Sequence, residues 1–230
     1  SGYMSNRIPG TTRYADIADA ADHAVLAEMA DQYADFIAAC GADVMVYSLP
    51  LRSSLLAETP RFVDHHAAQT IADALNRMGH QAARRGVRLA LHPEAFSMFR
   101  NARDVDLFML YTDPGYVHLC PDTAQFVVAG SQPLDIVARH RDRVVLTHWK
   151  DATGPAPRDT PIDEHIYDTQ VQWFAAVGQG VVDWPAWMRL LRDIDYHGWA
   201  VFELDLATNP VPDLKAITAY ITGALGHIYR

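Results

Sequence analysis

Residues 84–94 read RRGVRLALHPE, and the way this stretch divides decides the fold. Gly86 can take the left-handed conformation that closes a helix, so the helical pattern of residues 60–85 stops there. Residues 87–91 then form a short apolar strand, and the chain leaves it through His92, Pro93 and Glu94. The same order recurs on both sides. An Ala-rich helical region stops at Gly41 before the strand Val44–Ser48, and further apolar strands are expected at residues 117–120, 144–147 and 200–202. Helices are expected near residues 102–111, 133–140 and 185–194, with a last one over residues 213–227. Short β-rich runs alternating with longer helical ones predict a parallel sheet covered by helices.

Five strands are clear, and residues 2–5 supply the tail of a sixth. A complete eight-stranded α/β barrel takes about 250 residues, and the sequence before Val44 has no room for three full units. The expected fold class is therefore α/β, a single (β/α) TIM-type barrel domain over residues 1–230 that lacks its first two βα units and keeps about six parallel strands. An open barrel leaves two strand edges and one flank uncovered, which makes a homo-oligomer one expectation.

Four metal-capable side chains stand at the C-terminal ends of successive strands: His92 in LALHPE, Asp122 in HLCPDTAQ, His148 in VVLTHWKD and Glu203 in AVFELD. That end of an α/β barrel is where its chemistry is carried out. The intervals 92 to 122 and 122 to 148 each fit one β-loop-α unit. The longer interval to 203 contains residues 152–180, rich in Pro, Gly, Asp and Thr, which reads as an extended loop. Any one of the four alone would more often be an ordinary core or surface group. Together they favour a site, because all four end an apolar run. Two imidazoles and two carboxylates make a mixed nitrogen and oxygen donor set, suited to one divalent ion such as Mn, Co, Zn or Mg.

With 230 residues, half of them hydrophobic and a fifth charged, the chain can bury a full core. Its formal net charge of -9 and lack of a basic run disfavour nucleic acid, whose binding depends on Lys and Arg contacts to phosphate. A small-molecule partner is expected instead. The two cysteines, Cys40 and Cys120, read as buried free thiols in a reducing compartment. No apolar stretch approaches a membrane span, and the segment SGYMSNRIPG lacks the charged and apolar regions of a signal peptide. A cytoplasmic protein is expected.

The ordered motifs LALHPE, CPDTAQFVVAGSQP, RVVLTHWKDA, VGQGVVDW and YHGWAVFELD, covering roughly residues 87–205, resemble the sugar phosphate isomerase/epimerase superfamily of xylose-isomerase-like barrels, and within it the inosose dehydratase branch. The resemblance implies a metal site at the barrel mouth with ligands matching His92, Asp122, His148 and Glu203. The chain also departs from the family. Many sugar epimerases of this superfamily carry a glutamate where His92 stands, and use it as one of two catalytic bases. Here Glu94 lies two residues on and can point the same way if the strand geometry continues past Pro93. The family often has His where Gln125 follows Asp122. An amide hydrogen-bonds a hydroxyl but cannot shuttle a proton, so Gln125 is read as substrate-binding.

Proton removal beside a carbonyl builds negative charge on its oxygen, and a divalent ion can stabilise that charge. Glu94, Glu203 or His92 could take the proton, and Glu94 and Glu203 are the expected catalytic residues. Lys150 and Asp151 are expected to touch substrate, with a solvated lysine and a turn cap as the plainer alternative. Trp149, Trp173 and Phe174 are candidate pocket walls against the C–H faces of a sugar or cyclitol, although core packing is the commoner use of such rings. His165 is expected at the surface, His65 and His66 point apart on a helix, and Gly178 and Gly180 are read as turn glycines. The first functional expectation is a metal-dependent lyase that dehydrates an inosose or related keto-cyclitol. A ketose isomerase or epimerase is the second. A DNA-repair endonuclease and an inactive sugar-binding barrel are further alternatives.

Overall fold

The computed structural model describes residues 1–53, 61–205, 207 and 209–229. Its strands are β1 (Gly2–Tyr3), β2 (Val44–Ser48), β3 (Arg88–His92), β4 (Val117–Leu119), β5 (Leu146–Trp149), β6 (Asp151–Ala152), β7 (Phe174–Ala175) and β8 (Trp199–Phe202). The helices are α1 (His23–Ala39), α2 (His65–Ala83), α3 (Ala102–Tyr111), α4 (Thr123–Val128), α5 (Pro133–Arg139), α6 (Ile166–Gln170), α7 (Trp184–Asp193) and α8 (Pro210–Tyr220).

Strands β1 to β4 pair in parallel in chain order. Parallel bridges from Leu119 to Val144 and from Asp122 to His148 carry the order on to β5, which pairs in parallel with β8. The register sets Val46 beside Ala90 and Ser48 beside His92. Residues on one face of a strand alternate, so Val44, Val46 and Ser48 share the inner face. Val44, Val46, Ala90, Cys120 and Leu146 accordingly form one small apolar cluster. Among the described residues no ladder joins β1 to β8, and the barrel is not closed. β6 and β7 are a separate antiparallel pair of two residues each, above the parallel strands in the long loop.

The helices cover the outer face. In α1 the buried residues Leu26, Met29, Ala30, Ala34 and Ile37 recur at helical spacing and pack on α2 and β2. Gly41 and Gly86 follow α1 and α2 at φ of 74° and 72°, the left-handed closure that the sequence predicts. The expected start of α2 at residue 60 lies outside the described residues. The helix begins at His65, where the Asp64 side chain caps it by accepting the Ala67 N–H. α8 begins at Pro210 and passes into a π-helical turn, Ile221–Leu225, where a single helix over 213–227 was expected.

A second apolar cluster joins Trp149, Trp184, Trp187 and Leu191 beneath the long loop. Both cysteines are free, and only Cys120 is buried. Cys40 is exposed, against expectation, because it falls just past the last turn of α1, where its side chain has left the core face. Among the described residues no helix is long and apolar enough to cross a membrane.

Candidate metal centre and active site

The C-terminal ends of β3, β4 and β5 bring His92, Asp122 and His148 together. All three are buried, and one ligand-capable atom from each lies within 4.8 Å of the others. The Asp122 carboxylate is divided between two tasks. Its Oδ1 accepts the Gln125 N–H at 2.9 Å and so caps α4. Its Oδ2 lies 3.5 Å from His92 Nε2. His92 is oriented from behind, with Nδ1 at 3.3 Å from both Ser48 Oγ and Glu94 Oε1. A hydrogen bond on one ring nitrogen leaves the lone pair of the other aimed at the cluster, as in ligating histidines.

His92 Nε2, Asp122 Oδ2 and His148 Nδ1 are each buried without a hydrogen-bond partner. Orphaned polar atoms in a dry interior are costly, and the three residues that carry them each bring one ligand-capable atom within 4.8 Å of the others. A divalent cation satisfies all of them at once, so the donor set fits such an ion. Glu203 stands beside the cluster, with Oε1 at 3.1 Å from His148 Nδ1.

Charge is tightly interlocked around the cluster. Lys150 Nζ lies 2.9 Å from Asp205 Oδ2, 3.1 Å from Glu203 Oε2 and 3.6 Å from Asp122 Oδ2. Burial pulls the lysine pKa down, but Asp122, Glu203 and Asp205 outweigh it and push it well above the usual range. Burial raises the Asp122 carboxyl, yet the Lys150 ammonium and the neighbouring His92 bring it down to about 2. Glu203 is also lowered, His148 and Lys150 together prevailing over burial. Burial likewise disfavours a charged His92, but the adjacent carboxylates of Asp122 and Glu94 lift it to about 9.

The structure places four of the sequence-based candidates as follows. Gln125 is buried and does not present its amide to the mouth. Its oxygen accepts the Ala95 N–H and its nitrogen donates to Glu94 Oε2, both at 2.8 Å, so it holds the carboxylate that stands beside the cluster. Asp151 is fully buried and turned away from the cluster. It accepts the backbone N–H groups of Ala152, Gly178 and Val182 and the Trp184 indole N–H, and so straps the loop after β7 to β6. Trp149 is a core residue: its indole donates to Thr147 Oγ1, and its ring packs against Trp184 and Phe202. Lys150 is not solvated, and Phe174 lies under its ammonium, 4.7 Å from Nζ to the ring centre.

Three neighbours of the cluster escaped the sequence. Asp205 binds Lys150, and its place two residues beyond Glu203 was the available signal. Ser48 pairs in register with His92. Tyr3 sits edge-on to His92 and His148, with ring centres 5.7 and 6.2 Å away. Nothing in the isolated segment SGYM signals that contact, which arises only when β1 pairs Tyr3 with Val46.

An unclosed parallel α/β barrel with a His, Asp and His cluster at its strand ends defines the class of protein. The chain belongs to the xylose isomerase-like TIM barrel family, whose profile matches residues 7–220. It is 29% identical over 211 residues to the inosose dehydratase of Bacillus velezensis, an alignment covering 87% of this chain and 70% of that relative. It spans only 54% of the inosose dehydratase of Geobacillus kaustophilus, at 27% identity over 70% of this chain. The fold is shared with a sugar phosphate isomerase/epimerase from Parabacteroides distasonis, at a TM-score of 0.74 and 14% identity over 98% of this chain and 76% of that one. It is shared also with the zinc-bound IOLI protein, at a TM-score of 0.65 and 15% identity over 97% and 74%.

Proposed function

We propose that this chain carries the active site of a metal-dependent lyase that dehydrates an inosose or a related keto-cyclitol. The observation that carries the proposal is the buried cluster of His92, Asp122 and His148, each with an orphaned ligand-capable atom, beside a carboxylate held in place by Gln125. The inosose dehydratase relatives and the zinc in the IOLI protein support it. His92, Asp122, His148 and Glu203 would hold one divalent ion, which supplies Lewis-acid stabilisation of the oxygen where enolate charge develops.

The remaining work falls to the chain's own groups. Glu94, partly exposed and fixed by Gln125, is positioned to take the proton beside the substrate carbonyl. Lys150 keeps a permanent positive charge next to Glu203 and Asp122 and so balances the carboxylates during that transfer. The β-hydroxyl then departs as water, taking up the proton that Glu94 holds after the first step, and the electron pair of the broken C–O bond leaves with it to give the unsaturated product. Phe174, against the Lys150 ammonium, offers an apolar surface for the C–H face of a ring.

A second reading follows from the two carboxylates, Glu94 beside His92 and Glu203 beside His148. Proton removal by one and return by the other would make the same site an isomerase or epimerase. Metal content and product identity test both readings, for the parent chain and for Glu94→Gln, with scyllo-inosose and ketohexoses as substrates. Bound divalent metal with loss of water supports the lyase, and rearrangement without loss of water supports the epimerase. Absence of metal binding, or full activity in Glu94→Gln, rejects the proposed site.

A further inference from the structure

Ser48 ends β2 in register with His92 at the end of β3, so the two side chains stand together on the inner face of neighbouring parallel strands. Among the described residues the Ser48 hydroxyl makes two hydrogen bonds, to His92 Nδ1 at 3.3 Å and to Glu94 Oε1 at 3.4 Å. His92 and Glu94 also meet directly at 3.3 Å as an ion pair, but the hydrogen bonds run through the hydroxyl.

A hydroxyl carries one proton and gives it to one neighbour only. The imidazole decides which. When Nε2 spends its lone pair on a cation, Nδ1 keeps the ring proton and must donate it. Ser48 Oγ then accepts from His92, and its own proton is left for Glu94 Oε1. The far end of the chain is fixed as well, because Glu94 Oε2 accepts from Gln125 Nε2 at 2.8 Å. Gln125 cannot turn its amide round, since its oxygen is bound to the Ala95 N–H. For a neutral imidazole, every link is therefore a matched donor and acceptor in one pattern alone. It is the pattern that puts the ring proton on Nδ1 and leaves the lone pair on the buried, unpartnered Nε2.

We propose that Ser48 is a positioning residue that couples the metal ligand to the base, so that cation affinity and the placement of Glu94 are set together. The proposal deepens the reading of the site given above and rests on His92 as a ligand and Glu94 as the base.

Calorimetric titration of Mn into the full chain tests the coupling without any substrate. Ser48→Ala should weaken Mn binding by about tenfold, the scale on which a group behind a ligating histidine acts. Ser48→Thr keeps the hydroxyl and should retain most of the affinity. The metal-free melting temperature of Ser48→Ala should stay near that of the parent, which marks the loss as one of ligand geometry and not of folding. Glu94→Gln supplies an independent arm. Gln125 claims the oxygen of the new amide, so its NH2 group meets Ser48 and the hydroxyl proton loses its acceptor. Mn binding should therefore weaken in Glu94→Gln too, and adding Ser48→Ala to it should cost less than about twofold more. Unchanged Mn affinity in Ser48→Ala, or costs that multiply in the double variant, overturns the coupling and leaves the metal centre in place. Absence of saturable Mn binding in the parent chain rejects the metal centre and the coupling with it. With scyllo-inosose at saturating Mn, kcat of Ser48→Ala should fall by about tenfold with KM little changed. A rise in KM alone would make Ser48 a substrate contact and overturn its positioning role.

Discussion

The Gln125 side chain is bonded at both ends, its oxygen to the Ala95 N–H and its nitrogen to Glu94 Oε2, each at 2.8 Å. Gln125 is thus the residue that aims Glu94. Replacing it by leucine keeps the volume but frees the carboxylate to swing. We expect kcat to fall by about 10- to 100-fold, the range over which a misplaced catalytic group loses rate, with metal content unchanged. A parallel loss of metal would mean that Gln125 supports the ligands instead.

The orphaned atoms of His92, Asp122 and His148 lead us to expect that the parent chain takes up a divalent ion and loses it to a chelator. An ion bound only by the folded state adds about 2.7 kcal/mol when present at a hundred times its Kd. The melting temperature should therefore rise on adding Mn, Co or Zn and fall back with chelator. In His148→Ala the rise should vanish. A metal-induced shift that survives this substitution would place the ion elsewhere.

Asp151 and Gly180 form one device. A side chain at Gly180 would run into the Asp151 carboxylate and the Ala152 carbonyl, so only glycine lets the strap close. Gly180→Ala should cost about 2 kcal/mol through overpacking. Asp151→Ala, which strands three backbone donors and an indole N–H, should cost about 3 kcal/mol. Urea midpoints check both, with an unchanged slope marking a pure stability effect. Because the strap carries Phe174 to Lys150, activity should drop in both variants as well.

His118 offers a pH test far from the ligands. Burial, helped by Arg143 and Arg88, lowers its pKa to about 4, against about 6.5 in an unfolded chain. Between those values the unfolded chain takes up a proton that the folded one refuses, so stability is full above pH about 6.5 and declines as the pH falls toward 4. Denaturation midpoints should show that decline, and His118→Gln should flatten it. An identical acid profile in the variant would assign the decline to other groups.

Much of this architecture was legible in the chain because strands and caps are local. Gly86, the apolar run after it and the polar residue at its end place β3 and His92 without any tertiary knowledge, and the same holds at Asp122, His148 and Glu203. The directions of side chains beyond the strand ends were not legible. Asp151 and Lys150 are adjacent in sequence, yet one faces the loop and the other the carboxylates, a division made by the antiparallel pairing of β6 with β7. α4 was overlooked because it is only one and a half turns long and depends on the Asp122 cap rather than on periodicity. Tyr3 depended on a register set forty residues away.

Tyr3 remains 50% exposed although it touches both imidazoles, and Trp199 at the start of β8 is 78% exposed. The barrel interior therefore meets its surroundings sideways, across the gap between β1 and β8, as well as through the mouth. Two unit charges 4 Å apart attract by about 1 kcal/mol in water but by about 4 kcal/mol at an effective permittivity of 20. Whatever rests against Tyr3, bulk water or another polypeptide surface, therefore bears on the strength of the ion pairs behind it.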